Sequence, residues 1–381
     1  MMEVVKFADI VTRVNTKEDR FNTDKIYYVG GDHIDSNELM VHQRGIIKGS
    51  TIGPMFYCGF KAGDILFVTR NPHLRKCAVV DFDGICSEKT FVLATKDPSR
   101  LLQEYLALVM QSDDFWNYCE ENKSGGVNFF LNWSTLADYE FSLPSIEEQK
   151  ILADKLWAAY RVKESYRQLL ATTDDMLKAK FTDMFGKTDF PKSKISDLLA
   201  DNFSGEWGED DVDGTGTSVI KTNNFNNDGS IDFTQLVTRN IEAKRVERKR
   251  LKAGDILLER SGGTKDNPVG RVVYFDREGT YVTNNFVQTL RVSDKVDSKF
   301  LFYSLFIFYN TQKMEIRRLG HQTSGIQNLD FHKFVAREVI VPSMEVQQEF
   351  AAIATQAEAT KASLRQSIDA IDRVIRSLIN Q

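Results

Sequence analysis

Polar and apolar positions follow two rhythms along this chain, and the change from one to the other happens twice. Short apolar runs between Gly, Asn, Asp and Thr come first, at Asp64–Val68 and Ala78–Phe82, and again at Asp255–Leu258 and Arg271–Phe275. Runs of that length between turn residues predict strands. A helix is expected behind each set, at Ser99–Gln111 and Ser298–Lys313, its aromatic residues serving core packing rather than a cofactor pocket. The rhythm then lengthens. Pro144 precedes Ser145, a good N-cap, and Glu148 completes a capping box. No Pro or Gly follows until Gly186, the natural stop. Leu152, Leu156, Ala159, Tyr166, Leu170, Thr173, Leu177 and Met184 recur at three- and four-residue steps, with Lys163 and Lys180 occupying two of the turns. In the second such segment Phe350, Ile353, Ala357, Thr360, Leu364, Ser367, Ile371, Val374 and Leu378 keep an a/d rhythm. There Val346 replaces the glutamate of the box. A helix of about 40 residues would be about 60 Å long and needs a partner for its stripe. The two helices are expected to pair with each other, antiparallel, because a globular segment rather than a tight loop connects them.

The whole chain repeats itself in order. Phe7-Ala8-Asp9-Ile10 returns as Ile195-Ser196-Asp197-Leu198, Lys61–Leu66 as Lys252–Leu257, and Leu143–Gln149 as Val341–Gln347. The offset drifts slowly from 188 through 191 to 198 residues. Two diverged copies of one unit account for this, with boundaries expected at 1–144, 145–186, 187–342 and 343–381. The fold class is α+β: two α/β domains, each followed by a long helix, the helices pairing as an antiparallel coiled coil.

Composition excludes more than it identifies. With 381 residues, 42% hydrophobic and 27% charged, the chain is ordinary globular material. The four cysteines, Cys58, Cys77, Cys86 and Cys119, include no C-x-x-C pair, as expected for free thiols in a reducing cytoplasm. Phe300–Tyr309, the longest apolar stretch, is too short for a membrane span, and the N-terminus carries no export signal. A cytoplasmic protein without a membrane partner is expected. Searches for chemistry come back empty. Gly262-Gly263-Thr264-Lys265 lacks Walker A spacing, Gly214-Thr215-Gly216 is a lone G-x-G, and the five histidines lack metal-ligand spacing. Asn71-Pro72-His73-Leu74 lacks the second proline and the aromatic of the adenine-holding motif of amino-methyltransferases. No catalytic residue, metal site or cofactor is expected.

A net charge of −5 argues against coating nucleic acid by bulk charge. Basic residues nevertheless outnumber acids by five between 239 and 271, and by three between 61 and 76. Both patches surround the repeated K-A-G-D-I-L strand and the loop behind it. Alternating charges on a solvated face would be the bland explanation. Repetition at the same place in both copies favours two equivalent polyanion contacts, in loops whose Asn, Thr, Ser and Gly suit phosphate and base-edge hydrogen bonds.

These elements together resemble the specificity subunit of type I restriction–modification systems, over nearly the whole chain. The family's G-D-I-L strand followed by Arg-x-Gly stands here as Asp255–Gly262, its Asn as Asn284-Asn285-Phe286, its Gly-Ile-x-Asn as Gly325–Asn328, and its P-x-x-E-Q helix start as Pro342–Gln347. In the first copy these are Asp64–Arg70, Gly126-Val127-Asn128 and Pro144–Gln149; Arg70 is followed by Asn71-Pro72 instead of glycine. The resemblance implies a non-catalytic subunit whose two target recognition domains read the halves of a bipartite double-stranded DNA site. It also implies that the helices act as a ruler and as the dock for two adenine methyltransferase subunits, which restriction subunits join. The DNA-binding residues implied are Arg70, Asn71, His73, Arg75, Lys76 and Gly126 in the first copy. In the second they are Lys221, Asn223, Asn224, Arg260, Ser261, Gly262, Lys265, Ser324, Gly325 and Gln327. A fused methyltransferase would need cofactor motifs absent here. A non-DNA coiled-coil scaffold or acidic decoy is the remaining alternative, and salt-sensitive binding to duplex DNA separates the two.

Overall fold

In the computed structural model, residues 3–186, 189–264, 267–323 and 326–380 are described. The chain forms two compact units, Met1–Gln168 with Leu364–Gln381, and Leu169–Ser363. The division cuts both long helices, so each unit holds one globular part and a stretch of each helix.

The globular part of the first unit is built on a four-stranded antiparallel sheet in the order Val11–Val14, Thr90–Thr95, Ile65–Val68, Cys77–Val79. Ile65–Val68, the predicted strand, is buried on both faces. Side-chain alternation sends Ile65 and Phe67 into one core and Leu66 and Val68 into another. A second sheet contains the single parallel pair among this unit's named strands, Tyr27–Val29 beside Gly84–Ser87. The second unit repeats this plan. Its antiparallel sheet runs Leu199–Ser204, Val287–Val292, Ile256–Glu259, Val272–Tyr274, and Thr217–Ile220 pairs in parallel with Tyr281–Thr283. Here too the central strand divides its side chains, with Ile256 and Leu258 in one core and Leu257 in the other.

The helix expected at Ser99–Gln111 is shorter, Gln103–Val109. Asp97 Oδ1 accepts hydrogen bonds from the Ser99 amide and hydroxyl at 2.9 and 2.7 Å, holding that segment in a turn. A further helix, Asp113–Glu121, follows with Ser112 as its N-cap. In the second unit Ser298–Thr311 matches expectation, and Lys313–Leu319 extends the helical region beyond it.

The long helices are Ile146–Phe185 and Met344–Ile379. The capping box of the first is present: the Ser145 amide and hydroxyl donate to Glu148 Oε2, and the Glu148 amide donates back to Ser145 Oγ at 3.3 Å. Inside the first unit, Ile371, Ile375 and Ile379 share a core with Leu152, Leu156 and Tyr160. Inside the second, Phe181 and Phe185 lie 5.2 and 5.7 Å from Phe350, centroid to centroid. The two helices therefore pack together, and within each unit they run antiparallel. In the second unit Asp174 meets Lys361 while Phe181, further along, meets the earlier Phe350. The buried stripe differs from the strict a/d reading. Thr360 and Val374 face solvent, whereas Ala354, Lys361 and Ile375 are buried. A straight helix turns every 3.6 residues and drifts away from a 3.5 repeat.

One side chain anchors each helix start. Gln149, fully buried, accepts from the Leu102 amide at 3.0 Å and donates to the carbonyls of Arg100 and Pro144 at 2.8 and 3.0 Å. Gln347 likewise accepts from the Asp297 amide at 2.8 Å and donates to the Pro342 carbonyl at 2.8 Å.

Candidate nucleic-acid interface

In the second unit Ser261–Gly262 is the edge of a three-stranded antiparallel ribbon with Ile326–Leu329 and Gly320–Thr323. Ser261 stands opposite Asn328, its hydroxyl donating to Asn328 Oδ1 at 2.6 Å, and Gly262 opposite Gln327. Gly262 has φ +123°, a backbone conformation that favours glycine. Three of the sequence-predicted residues, Ser261, Gly262 and Gln327, thus share one ribbon. Arg260, next to it, is exposed, and its guanidinium donates to Gln288 Oε1 at 3.3 Å.

A buried ion pair ties this ribbon to the second predicted segment. Glu259, 1% exposed, accepts from Arg271 Nε at 2.8 Å and Nη2 at 3.1 Å. The same guanidinium donates to the carbonyls of Thr222 and Phe225, both at 3.2 Å. The Glu259 carboxylate holds the Arg271 pKa above its ordinary value. In the turn it braces, Asn223 is exposed. Asn224 is buried, accepting from the Lys221 amide at 2.9 Å and donating to the Gln235 carbonyl at 3.3 Å. Its amide shapes the turn instead of facing outward. Lys265, Ser324 and Gly325 lie outside the described residues.

The first unit brings Arg70, Asn71 and the Gly126 loop together. Arg70 bridges to Phe130, with its guanidinium 5.1 Å from that ring's centroid. The Asn71 amide donates to the Phe129 carbonyl at 2.9 Å. Ser124 and Phe130 close the loop that carries Gly126, which is exposed, and Val127, 91% exposed. Asn71 and Arg75 take left-handed conformations, φ +52° and +49°, which cost a non-glycine residue free energy. His73 is exposed on the short turn between them. Arg75 and Lys76 are engaged within the fold: Arg75 pairs with Asp113 at 2.6 Å, and Lys76 Nζ donates to the Gly31 carbonyl at 2.7 Å.

The hydrogen-bond frame corrects the alignment of the two copies. The Leu131 amide donates to the Thr69 carbonyl as the Leu329 amide donates to that of Arg260. Arg70 therefore occupies the place of Ser261, and Arg260 that of Thr69. The basic patch of the second copy is also partly spent. Arg239 pairs with Asp210 and lies over the Trp207 ring, and Arg245 and Lys249 both pair with Glu206, at 3.0 and 2.9 Å. A helix that sequence reading did not anticipate, Ala243–Lys249, has no buried residue and leaves Lys244 and Arg248 exposed.

Glu259 and the two clamp glutamines were not singled out by sequence reading. The signal for the glutamines was the repeated spacing from Pro144 to Gln149 and from Pro342 to Gln347. Among the described residues, Glu38, His42 and Glu164 have metal-ligand spacing. Lys163 and Arg167 already occupy Glu38 at 3.2 and 2.6 Å, so positive charge stands where a cation would bind. No described helix is long and apolar enough to cross a membrane.

The profile of the family described as "Type I restriction modification DNA specificity domain" matches residues 2–171 and 211–373. The chain belongs to this family. Its domain is a non-catalytic DNA-specificity module, in keeping with the absence of catalytic motifs from the sequence. Known folds agree. The S subunit of a type I restriction–modification system from M. genitalium matches at 12% identity and a TM-score of 0.59, over 100% of this chain and 95% of that one. A second solved chain comes from work on complex assembly and conformational transition of the type I R-M system. It matches at 16% identity and a TM-score of 0.54, over 99% of this chain and 96% of that one. No curated protein sequence matches. Two α/β regions, each followed by a long helix, are thus a fold that this chain shares with those two solved chains.

Proposed function

We propose that this chain is the DNA sequence-specificity subunit of a type I restriction–modification complex and reads a bipartite duplex target with two recognition domains. The observation that carries this reading is the duplication: each copy of one hydrogen-bond frame presents different polar side chains at the same place. Arg70, Asn71 and the Gly126 loop read one half-site; Arg260, Asn223, Ser261 and Gln327 read the other. Two adenine methyltransferase subunits dock on the outward faces of the helices, restriction subunits join them, and the helices, as an antiparallel coiled coil, set the spacer.

Mapping methylated adenines in cells carrying this gene with its methyltransferase partner tests the reading. Two constant half-sites separated by a fixed unspecified spacer are expected. Inserting seven residues into each helix, between Leu170 and Met176 and between Leu364 and Ile371, keeps the stripe in phase. It adds about 10 Å of rise, about three base pairs at about 3.4 Å each. An active variant that methylates at the original spacing would refute the ruler.

A further inference from the structure

Two lysines are buried where the helix stripe is otherwise apolar. Lys163 and Lys361 are each 5% exposed. In the first unit Lys163 Nζ lies 2.8 Å from Asp372 Oδ1 and 3.2 Å from Glu38 Oε1. In the second, Lys361 Nζ lies 2.6 Å from Asp174 Oδ1. The lysines are 198 residues apart in sequence (163 to 361), and so are the aspartates (174 to 372). Each copy therefore gives one lysine and one aspartate, and each lysine takes its aspartate from the other copy's helix.

We propose that Lys163 and Lys361 are positioning residues that fix the register of the two helices and so the half-site spacing, the second part resting on the function proposed above. The first helix advances from 163 to 174 while the second retreats from 372 to 361, the same length, so one register satisfies both pairs. A slip of one heptad satisfies neither. In one direction Lys163 comes to face Arg365 and Lys361 to face Arg167; in the other they face Ile379 and Phe181. Like charges meet in the first case, and a buried ammonium meets hydrocarbon in the second. Slips of three or four residues bring Lys163 to Asp369 or Ile368, or to Ile375 or Arg376, and Lys361 to Ala171, Leu170, Leu177 or Lys178, so none satisfies both pairs. Stability does not explain the pairs, because replacing a buried ion pair by apolar residues is often neutral or stabilising. A buried polar residue on the stripe is, however, an effective register signal.

The test uses the full chain, with register read by cysteine cross-linking and peptide mapping. In the native background L177C/A357C should bridge under mild oxidation, whereas L177C/F350C and L177C/L364C, one heptad to either side, should not. In the neutral variant K163M/D372L/D174L/K361M a slipped pair should bridge with a yield comparable to the native one. Bridging of the native pair alone in that variant overturns the proposal. Should the neutral variant not fold, the exchange at one pair decides: K361D should lower the native bridge severalfold, and adding D174K should restore it. Failure to restore also overturns the proposal. The slipped variant, co-expressed with the methyltransferase partner, should shift the spacer by about three base pairs. Slipped cross-links with unchanged methylation spacing would uphold the register role and refute the helix pair as ruler.

Discussion

The two recognition parts share a frame yet brace their loops by different chemistry. In the second, the Glu259–Arg271 pair holds the turn at Thr222 and the ribbon at Gly263 from inside. In the first, Val68 stands in the place of Glu259, and Lys76 in that of Arg271. Lys76 makes the equivalent bond, to the Gly31 carbonyl, among its described contacts without a carboxylate. Bracing there comes instead from left-handed Asn71 and Arg75 and from the Arg70 and Lys123 cations over Phe130 and Phe129. The four-stranded antiparallel sheet with its strand order, the parallel pair and the glutamine clamp are common property; the loops are private. The two copies thus share what folds and differ in their loops.

That contrast can be broken at its strongest point first. Glu259→Ala leaves the half-buried Arg271 without its carboxylate and should destabilise the second unit by about 3 kcal/mol. Hydrogen exchange should show lost protection at the ribbon and at 221–225 together. Lys76→Met removes one charge-assisted bond and should cost about 1.5–3 kcal/mol; equal losses at the two sites would show that the bracing is not different after all. Next come the shared parts. Gln149→Ala and Gln347→Ala each strand buried backbone groups and should each cost about 1–3 kcal/mol in urea unfolding, with the two values close. A large disparity would mean that the clamps are not equivalent.

Arg260→Ala should weaken binding to the specific duplex by about 1–3 kcal/mol if it grips a base edge. Thr69→Ala, at the same frame position in the first copy, should leave affinity unchanged to within about 0.5 kcal/mol. Equal effects would show that the two copies use this frame position alike. The smallest difference is at the helix caps. Ser145→Ala breaks a complete capping box and should cost about 1 kcal/mol. Ser343→Ala, where Val346 supplies no reciprocal bond, should cost less, as thermal unfolding would show.

Much of this frame was legible in the sequence because it rests on period and repetition. Strands at 65–68 and 256–259, the capped helix at 146–185 and the order of elements all follow from local pattern. Failures came where a side chain answers a distant partner. Lys361 looks like a solvated helix residue until Asp174, 187 positions away, neutralises it. Arg271 reads as part of a cationic patch because nothing nearby shows that Glu259 lies beside it, buried. The motif match of Arg70 with Arg260 does not hold: the hydrogen-bond frame puts Arg70 in the place of Ser261, as the 191-residue offset of the K-A-G-D-I-L repeat does. Of the candidate site, the structure brings Ser261, Gly262 and Gln327 together, and likewise Arg70, Asn71 and the Gly126 loop. Asn224 does not join them, because its amide is spent on the turn.

The glutamine clamps carry a consequence for how such a chain can change. Every described bond of the Gln149 and Gln347 side chains goes to a main-chain amide or carbonyl. A joint that grips only backbone is indifferent to the sequence on its far side. Any domain that presents an amide where Leu102 or Asp297 presents one would satisfy this clamp, although Glu38, Lys299 and Tyr303 also meet helix side chains and would have to be matched. The clamp thus behaves as a socket of fixed gauge, one that makes no demand of its own on the side chains of the domain it seats.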